Sequence, residues 1–426
     1  MFATNGAPAS ILSPNRCAPV STQPPVLGKA ELTAMVAMMF ATIALSIDAM
    51  LPAFPAISEE LTKTDPNKAQ LVLTSFILGM GLGIFFSGPL SDAFGRRRVI
   101  LVGAVLYGLA ASLAVISSSL EMLIVSRFLM GIGAAGPRVA ALALVRDRFK
   151  GREMAQIMSY VMMIFMLVPA IAPSLGAVIL TFGSWRAIFA SFILFAIGIL
   201  VWTGLRLPET LAKEHRRPLS LRALRHASVE ILRHPSARIA IFVQTLCLGI
   251  LFSMITTVQP VYDVIYERAE TFPLWFGLTA LIAGSGSLLN GLLVARLGMR
   301  RIAATSLWSQ VGFSGVMVAL AFVLPAAQVP FFTFVIWQCT VFFMVGTTMG
   351  NLNAIAMEPM GHIAGLAASV IGAISTVGAV LIAGPLGQLF DGSLRPLAGG
   401  VLLLALLSCY LMRRLAMAEA QIASAT

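Results

Sequence analysis

The chain has 426 residues, 58% of them hydrophobic and 11% charged, with a formal net charge of +11. An ordinary soluble domain carries about 25% charged residues, so this chain has too little charge to coat a globule of its size, and a water-soluble fold is excluded. Its apolar residues come in blocks of roughly 20, the length that crosses a ~30 Å hydrocarbon core as a helix, and not in the ~10-residue alternating segments of a membrane barrel.

Residues 1–28 are rich in Pro, Ser, Thr and Ala, which predicts a disordered tail. They lack the basic region, short apolar core and cleavage site of a signal peptide. Twelve apolar segments follow, near 32–54, 70–90, 98–117, 122–144, 155–181, 186–206, 238–262, 273–294, 302–324, 330–350, 364–388 and 394–412. The expected fold is an all-α polytopic membrane protein of twelve transmembrane helices.

The first segment contains Asp48, the single acidic residue well inside a span. A charged carboxylate is costly in hydrocarbon, so it should face a cavity or a partner, and it is suited to carry a proton or meet a cationic substrate. The other reading is a structural carboxylate at the helix end near Pro52. Phe40 and Ala44 precede Asp48 by two turns and one turn, on the same face, and are candidates for lining a substrate cavity.

Between the second and third segments the chain reads GPLSDAFGRRRVIL. Asp92, with Gly88, Gly95, Arg96 and Arg97, reads as a gating latch, since a loop acid can cap a helix end or pair with a basic neighbour. A plain topology anchor is the alternative. The fourth segment carries two intramembrane arginines. Arg127 lies at a depth similar to Asp48, which predicts a polar pair between them; a snorkelling anchor is the other reading. Arg138, deeper in the same helix, either lines the cavity or packs. In the fifth segment, Pro169, Pro173 and Gly176 allow a bend and a close helix approach.

The longest polar stretch, about 206–238, falls between the sixth and seventh segments. It divides the chain into bundles at 29–206 and 238–413, joined by a loop at 207–237 and flanked by tails at 1–28 and 414–426. Within it, 219–233 has the pattern of a short amphipathic surface helix, with Leu219, Leu221, Leu224, Val229 and Leu232 against lipid, or else is a solvated linker. Residues 291–302, GLLVARLGMRRI, repeat the earlier loop with a shift of 203, pairing Gly88 with Gly291, Gly95 with Gly298, Arg97 with Arg300 and Arg98 with Arg301. Asp92 becomes Ala295 in this copy. Parallel repeats of six helices are one way to build a transporter whose substrate site lies between the halves. Gln244, Gln259, Asn290, Gln310, Gln338, Asn351 and Asn353 are expected to serve mainly as helix–helix contacts.

If both termini face the cytoplasm, 22 of the 29 Lys and Arg lie on that side and five on the other, with Arg127 and Arg138 inside a span. That bias obeys the positive-inside rule and accounts for the basic balance without nucleic acid. Cys17, Cys247, Cys339 and Cys409 have neither metal-ligand nor disulfide spacing and read as packing residues. All four His lie in expected cytoplasmic loops, and no Gly-Lys-Ser/Thr phosphate loop occurs. Catalysis and ATP-driven transport are therefore not expected.

GPLSDAFGRRRVIL at this position resembles the loop signature of the major facilitator superfamily. Further segments are similar to its drug/proton antiporters, in particular the bicyclomycin- and chloramphenicol-resistance exporters: SIDAMLPAFPAI at the end of the first span, SRFLMGIGAAG in the fourth and VPAIAPSLGA in the fifth. The last keeps Pro173 and Gly176 of the antiporter signature, while Ala172 and Ala177 stand in place of two glycines. The resemblance implies two pseudo-symmetric six-helix bundles, a proton-transfer role for Arg127, and restriction of a leak path by the fifth helix. The expected function is proton-coupled export of drugs or related small molecules, with a facilitator that carries a metabolite as the alternative. The expected setting is a bacterial-type inner membrane with both termini cytoplasmic. The partners are small-molecule substrate, protons and lipid, with a proton gradient in place of any cofactor, no metal, no nucleic acid and no ATP, and a monomer as the working unit.

Overall fold

The structure, a computed structural model, describes residues 27–216 and 218–425, so most of the expected N-terminal tail lies outside the described residues. Helices α1 (Lys29–Asp48) and α2 (Phe54–Leu61) form one interrupted first span. Then come α3 (Leu71–Phe94), α4 (Arg96–Val115), α5 (Leu120–Arg148), α6 (Gly151–Phe182) and α7 (Trp185–Arg206). After the linker helix α8 (Leu221–Arg233), the second half runs through α9 (Pro235–Pro260), α10 (Phe272–Leu297), α11 (Met299–Val323), α12 (Phe331–Met357), α13 (Ala364–Gln388) and α14 (Arg395–Ala425). No strand occurs among the described residues.

Eleven helical runs among the described residues are long and apolar enough to cross a membrane. One of them, Phe331–Gln388, is 58 residues long and holds two spans, α12 and α13, joined where Met360 leaves helical geometry (φ −107°, ψ 20°). Twelve crossings result among the described residues, so α1 begins and α14 ends on the same face as the linker, here called the linker face. Large apolar side chains such as Val102, Leu109, Leu194, Leu205, Leu288 and Leu292 stand exposed on the outer surface. In water such a surface would be an aggregation liability; against lipid tails it is at home.

The two halves repeat each other's packing. In the first, α3 packs on α5, α4 on α5 and α7, and α1 on α6; in the second, α10 packs on α12, α11 on α12 and α14, and α9 on α13. The shared GxxR turn is visible in backbone geometry. Gly95 and Gly298 join α3 to α4 and α10 to α11 with φ of +101° and +79°, a conformation that favours glycine. The halves meet along α3–α13 and α6–α10. Both seams rest on glycine: a Cβ on Gly88 would overlap the Ser369 hydroxyl, and one on Gly277 would reach 2.5 Å from the Ala170 carbonyl oxygen.

The linker helix forms, but its buried side differs from expectation. Leu224, Ala227 and Ile231 are buried where α8 packs on α9 and α13, while Leu219, Leu221 and Val229 are exposed. Leu224 therefore belongs to the protein contact and not to lipid, because α8 lies against the second half. The intramembrane amides divide in the same way. Asn351 donates to Asn290 at 2.7 Å, and Gln338 donates to Thr279 at 3.0 Å while accepting from Tyr262 at 3.1 Å, each across helices. Gln310 instead donates within α11 to Ser314 at 2.9 Å, and the Gln244 carbonyl oxygen is buried without a partner among the described residues.

Candidate functional site

The first span breaks at the acid that the sequence singles out. Pro52 has no N–H to offer the Asp48 carbonyl four residues back, and Pro55 has none for Leu51. The chain accordingly leaves α1 at Asp48, passes through a 3-10 turn at Leu51–Ala53 and restarts at Phe54. Asp48 is 4% exposed and makes no hydrogen bond or ion pair with any described residue.

Arg127 does not pair with it, contrary to the sequence-based expectation. Its Nη2 donates to the Ser46 carbonyl at 2.9 Å and its Nε to the Val72 carbonyl at 3.1 Å, while the guanidinium lies 4.4 Å from the centre of the Phe76 ring. For the Ser46 carbonyl the reason lies in the helix break, because the last carbonyls of a helix lack intrahelical donors and must find others when buried. The fully buried Arg127 thus ties α5 to α1 and α3 through their backbones. Two residues that sequence reasoning missed complete this cluster: the Ser46 hydroxyl lies 2.6 Å from the Tyr107 hydroxyl and donates to the Thr42 carbonyl at 2.6 Å.

On the fifth helix, Pro173 and Gly176 are buried and Pro169 is half-buried, and α6 continues unbroken through both prolines. A Cβ on Gly176 would overlap the carbonyl oxygen of Ala49, so this glycine seats α6 on the turn next to Asp48. Phe40 and Ala44 are buried in this conformation, with Phe40 edge-on to Phe165 of α6 at 6.2 Å. Arg138 is half-buried beside them, 5.9 Å from the Phe40 ring centre.

The loop cluster centres on Arg96, which is 4% exposed. It pairs with Asp92 one turn back, donates from Nε to Asp147 at 3.0 Å and from Nη1 to Ser91 at 3.1 Å. Glu209, at the start of the linker, accepts from the Arg96 backbone N–H at 2.9 Å and packs over Gly95. Arg97 donates to the Gly204 carbonyl. The cluster therefore joins α3, α4, α5 and the linker within the first half. Asp147 and Glu209 were missed from sequence; the acid in the Arg-Asp-Arg run closing α5 was the available signal for Asp147. Beside the cluster, a cavity of about 330 Å³ separates Asp92, Arg96 and Arg146 from His362 of the second half. His362 Nε2 lies 2.7 Å from Glu230 Oε1 of α8.

On the opposite face the halves are hydrogen-bonded directly. Asn67 donates to the carbonyls of Gln388 at 3.2 Å and Phe390 at 2.7 Å, and Gln388 returns a bond to the Asn67 carbonyl at 2.8 Å.

Residues 34–383 match the sequence model of the Major Facilitator Superfamily. The chain is 30% identical over 336 residues to the MFS-type transporter YdgK of Bacillus subtilis (strain 168), covering 77% of this chain and 81% of that protein. It is 31% identical over 342 residues to a bicyclomycin resistance protein homolog of Haemophilus influenzae, covering 79% and 83%. Its fold is similar to that of the xylose transporter XylE of E. coli in a partially occluded inward-open conformation, with a TM-score of 0.71, 12% identity, and 91% and 97% of the two chains covered.

Proposed function

The chain belongs to the major facilitator superfamily, and from that premise we propose that it exports drugs or related small, largely apolar compounds in exchange for protons. The observation that carries the proton coupling is Asp48, a buried carboxylate without a partner among the described residues, at a helix break inside the membrane. Such a group is expensive to keep charged in hydrocarbon, about 2.5–3.5 kcal/mol on insertion scales, and is therefore suited to load and release a proton as its surroundings change. The name of the Haemophilus influenzae relative supports drugs as the cargo class.

Residues 29–206 and 238–413 act as the two rocking bodies, with the site between them. The Lys and Arg census supports a cytoplasmic linker face, a cytoplasmic location for both termini and residence in the inner membrane. The working unit is one copy of the chain, with the proton gradient as its energy source and no bound cofactor. The test is an everted-vesicle assay with an imposed gradient. Adding a transported compound should release protons across the membrane, and a panel of drugs that releases none would sink the antiport reading.

A further inference from the structure

Arg138 is a second charge inside the membrane without a partner among the described residues, and its surroundings differ from those of Arg127. It shares a helix face with Arg127, Ala134 and Ala141, which stand eleven and four residues before it and three after it. Those three are 0% exposed, so this face is turned inward, away from lipid. Arg138 itself keeps part of its surface exposed, as does Leu142 one turn on at 43%, so this side of the helix is not fully packed against protein. Arg138 lies ten residues from the end of α5, about 15 Å along the axis.

No described residue hydrogen-bonds or ion-pairs with Arg138, and its one neighbour of note is the Phe40 ring at 5.9 Å. That is the outer limit of a cation–π contact. Asp48 cannot serve as its counter-charge, because it lies eight residues beyond Phe40, about 12 Å further along the first span. The interior thus holds a guanidinium beside Phe40 and a carboxyl about two turns further along the first span, with no bond between them.

We propose that Arg138 receives an acidic group of the transported compound, so that the substrates include amphoteric molecules with the acid toward Arg138 and the amine toward Asp48. A guanidinium presents a planar fork that matches a carboxylate with two parallel hydrogen bonds, and in a low-dielectric site that match discriminates strongly. This rests on the transport reading above and adds the chemical class of the cargo.

The test compares norfloxacin, a zwitterion, with tetraphenylphosphonium, a cation without an acid, in proton-release assays on everted vesicles. The wild-type protein should respond to both. Arg138→Gln should raise the half-saturating norfloxacin concentration about ten-fold or more and leave that for tetraphenylphosphonium within about two-fold. Arg138→Lys, which keeps the charge and loses the fork, should fall between, and it carries the test if the glutamine variant fails to insert. Equal loss of both probes in the two variants would mean a packing role and overturn the proposal. A wild-type response to tetraphenylphosphonium alone would overturn it and leave the export reading standing, whereas a response to neither probe removes both. If replacing chloride by gluconate reproduces the Arg138→Gln defect, the site holds an inorganic anion and the proposal fails.

Discussion

Arg127 donates to the backbone carbonyl of Ser46 at 2.9 Å, two residues before Asp48, and makes no bond to the Asp48 carboxylate. The acid and the base therefore have separable tasks in this conformation. The arginine holds the broken first span in place, and the carboxyl is left free to change its protonation.

Arg127→Ala removes two charge-assisted hydrogen bonds and leaves the Ser46 carbonyl buried without a donor, while the Val72 carbonyl keeps the Ser75 hydroxyl at 3.1 Å. At roughly 1.5–3 kcal/mol for a hydrogen bond to a charged group, the loss should be on the order of 3 kcal/mol. Thermal unfolding in detergent should show a clear fall in Tm, and Arg127→Lys should fall by less because one amine reaches one carbonyl. An unchanged Tm in both variants would remove the clamp from the account.

Asp48→Asn replaces a partnerless carboxyl with a neutral group of the same shape. Since no hydrogen bond is broken, insertion and Tm should stay at wild-type values or rise slightly. Drug-induced proton release in everted vesicles should be lost. Wild-type proton release by the variant would take Asp48 out of the coupling step.

Gly176→Val should be among the most damaging single changes in α6, because the added carbons overlap the Ala49 carbonyl and push α6 off the turn beside Asp48. Overpacking of this kind costs about 1–3 kcal/mol, and more where backbone must move. Gly198→Ala is the matched control, since nothing lies within 4 Å of a Cβ there. Similar membrane levels and Tm for the two variants would contradict the close approach.

Asn67→Ala removes two of the three hydrogen bonds that hold the halves together on the face opposite the linker. The balance of conformations should shift toward opening on that face. In a background without native cysteines, Ser375→Cys sits in the core of α13 and reports the change. Its reaction with a membrane-impermeant maleimide added from the Asn67 side should speed up several-fold in the Asn67→Ala variant. An unchanged rate would show that these bonds do not hold the face closed.

Much of the fold was legible because hydrocarbon imposes a simple rule: every span must be a helix of about 20 apolar residues. The segments 364–388 and 186–206 predicted from the sequence lie within a residue of α13 and α7. Gly95 and Gly298 stood out because the same spacing recurs in both halves, and their positive φ explains why glycine is needed at each. The linker helix was legible as a helix, but its buried face was not, since that depended on where α9 and α13 would lie.

The sequence by itself determined the class of the molecule, its twelve crossings, its charge asymmetry and the identity of the buried charges, because these follow from local composition and the thickness of a bilayer. Tertiary structure alone decided what those charges touch. Depth along a helix put Asp48 and Arg127 at one level, yet the rotation and spacing of α1, α3 and α5 turned the guanidinium toward the Ser46 and Val72 carbonyls. A helix break creates acceptors that no residue list displays, and a buried donor goes to the acceptor within reach, which here is backbone and not the carboxylate two residues away.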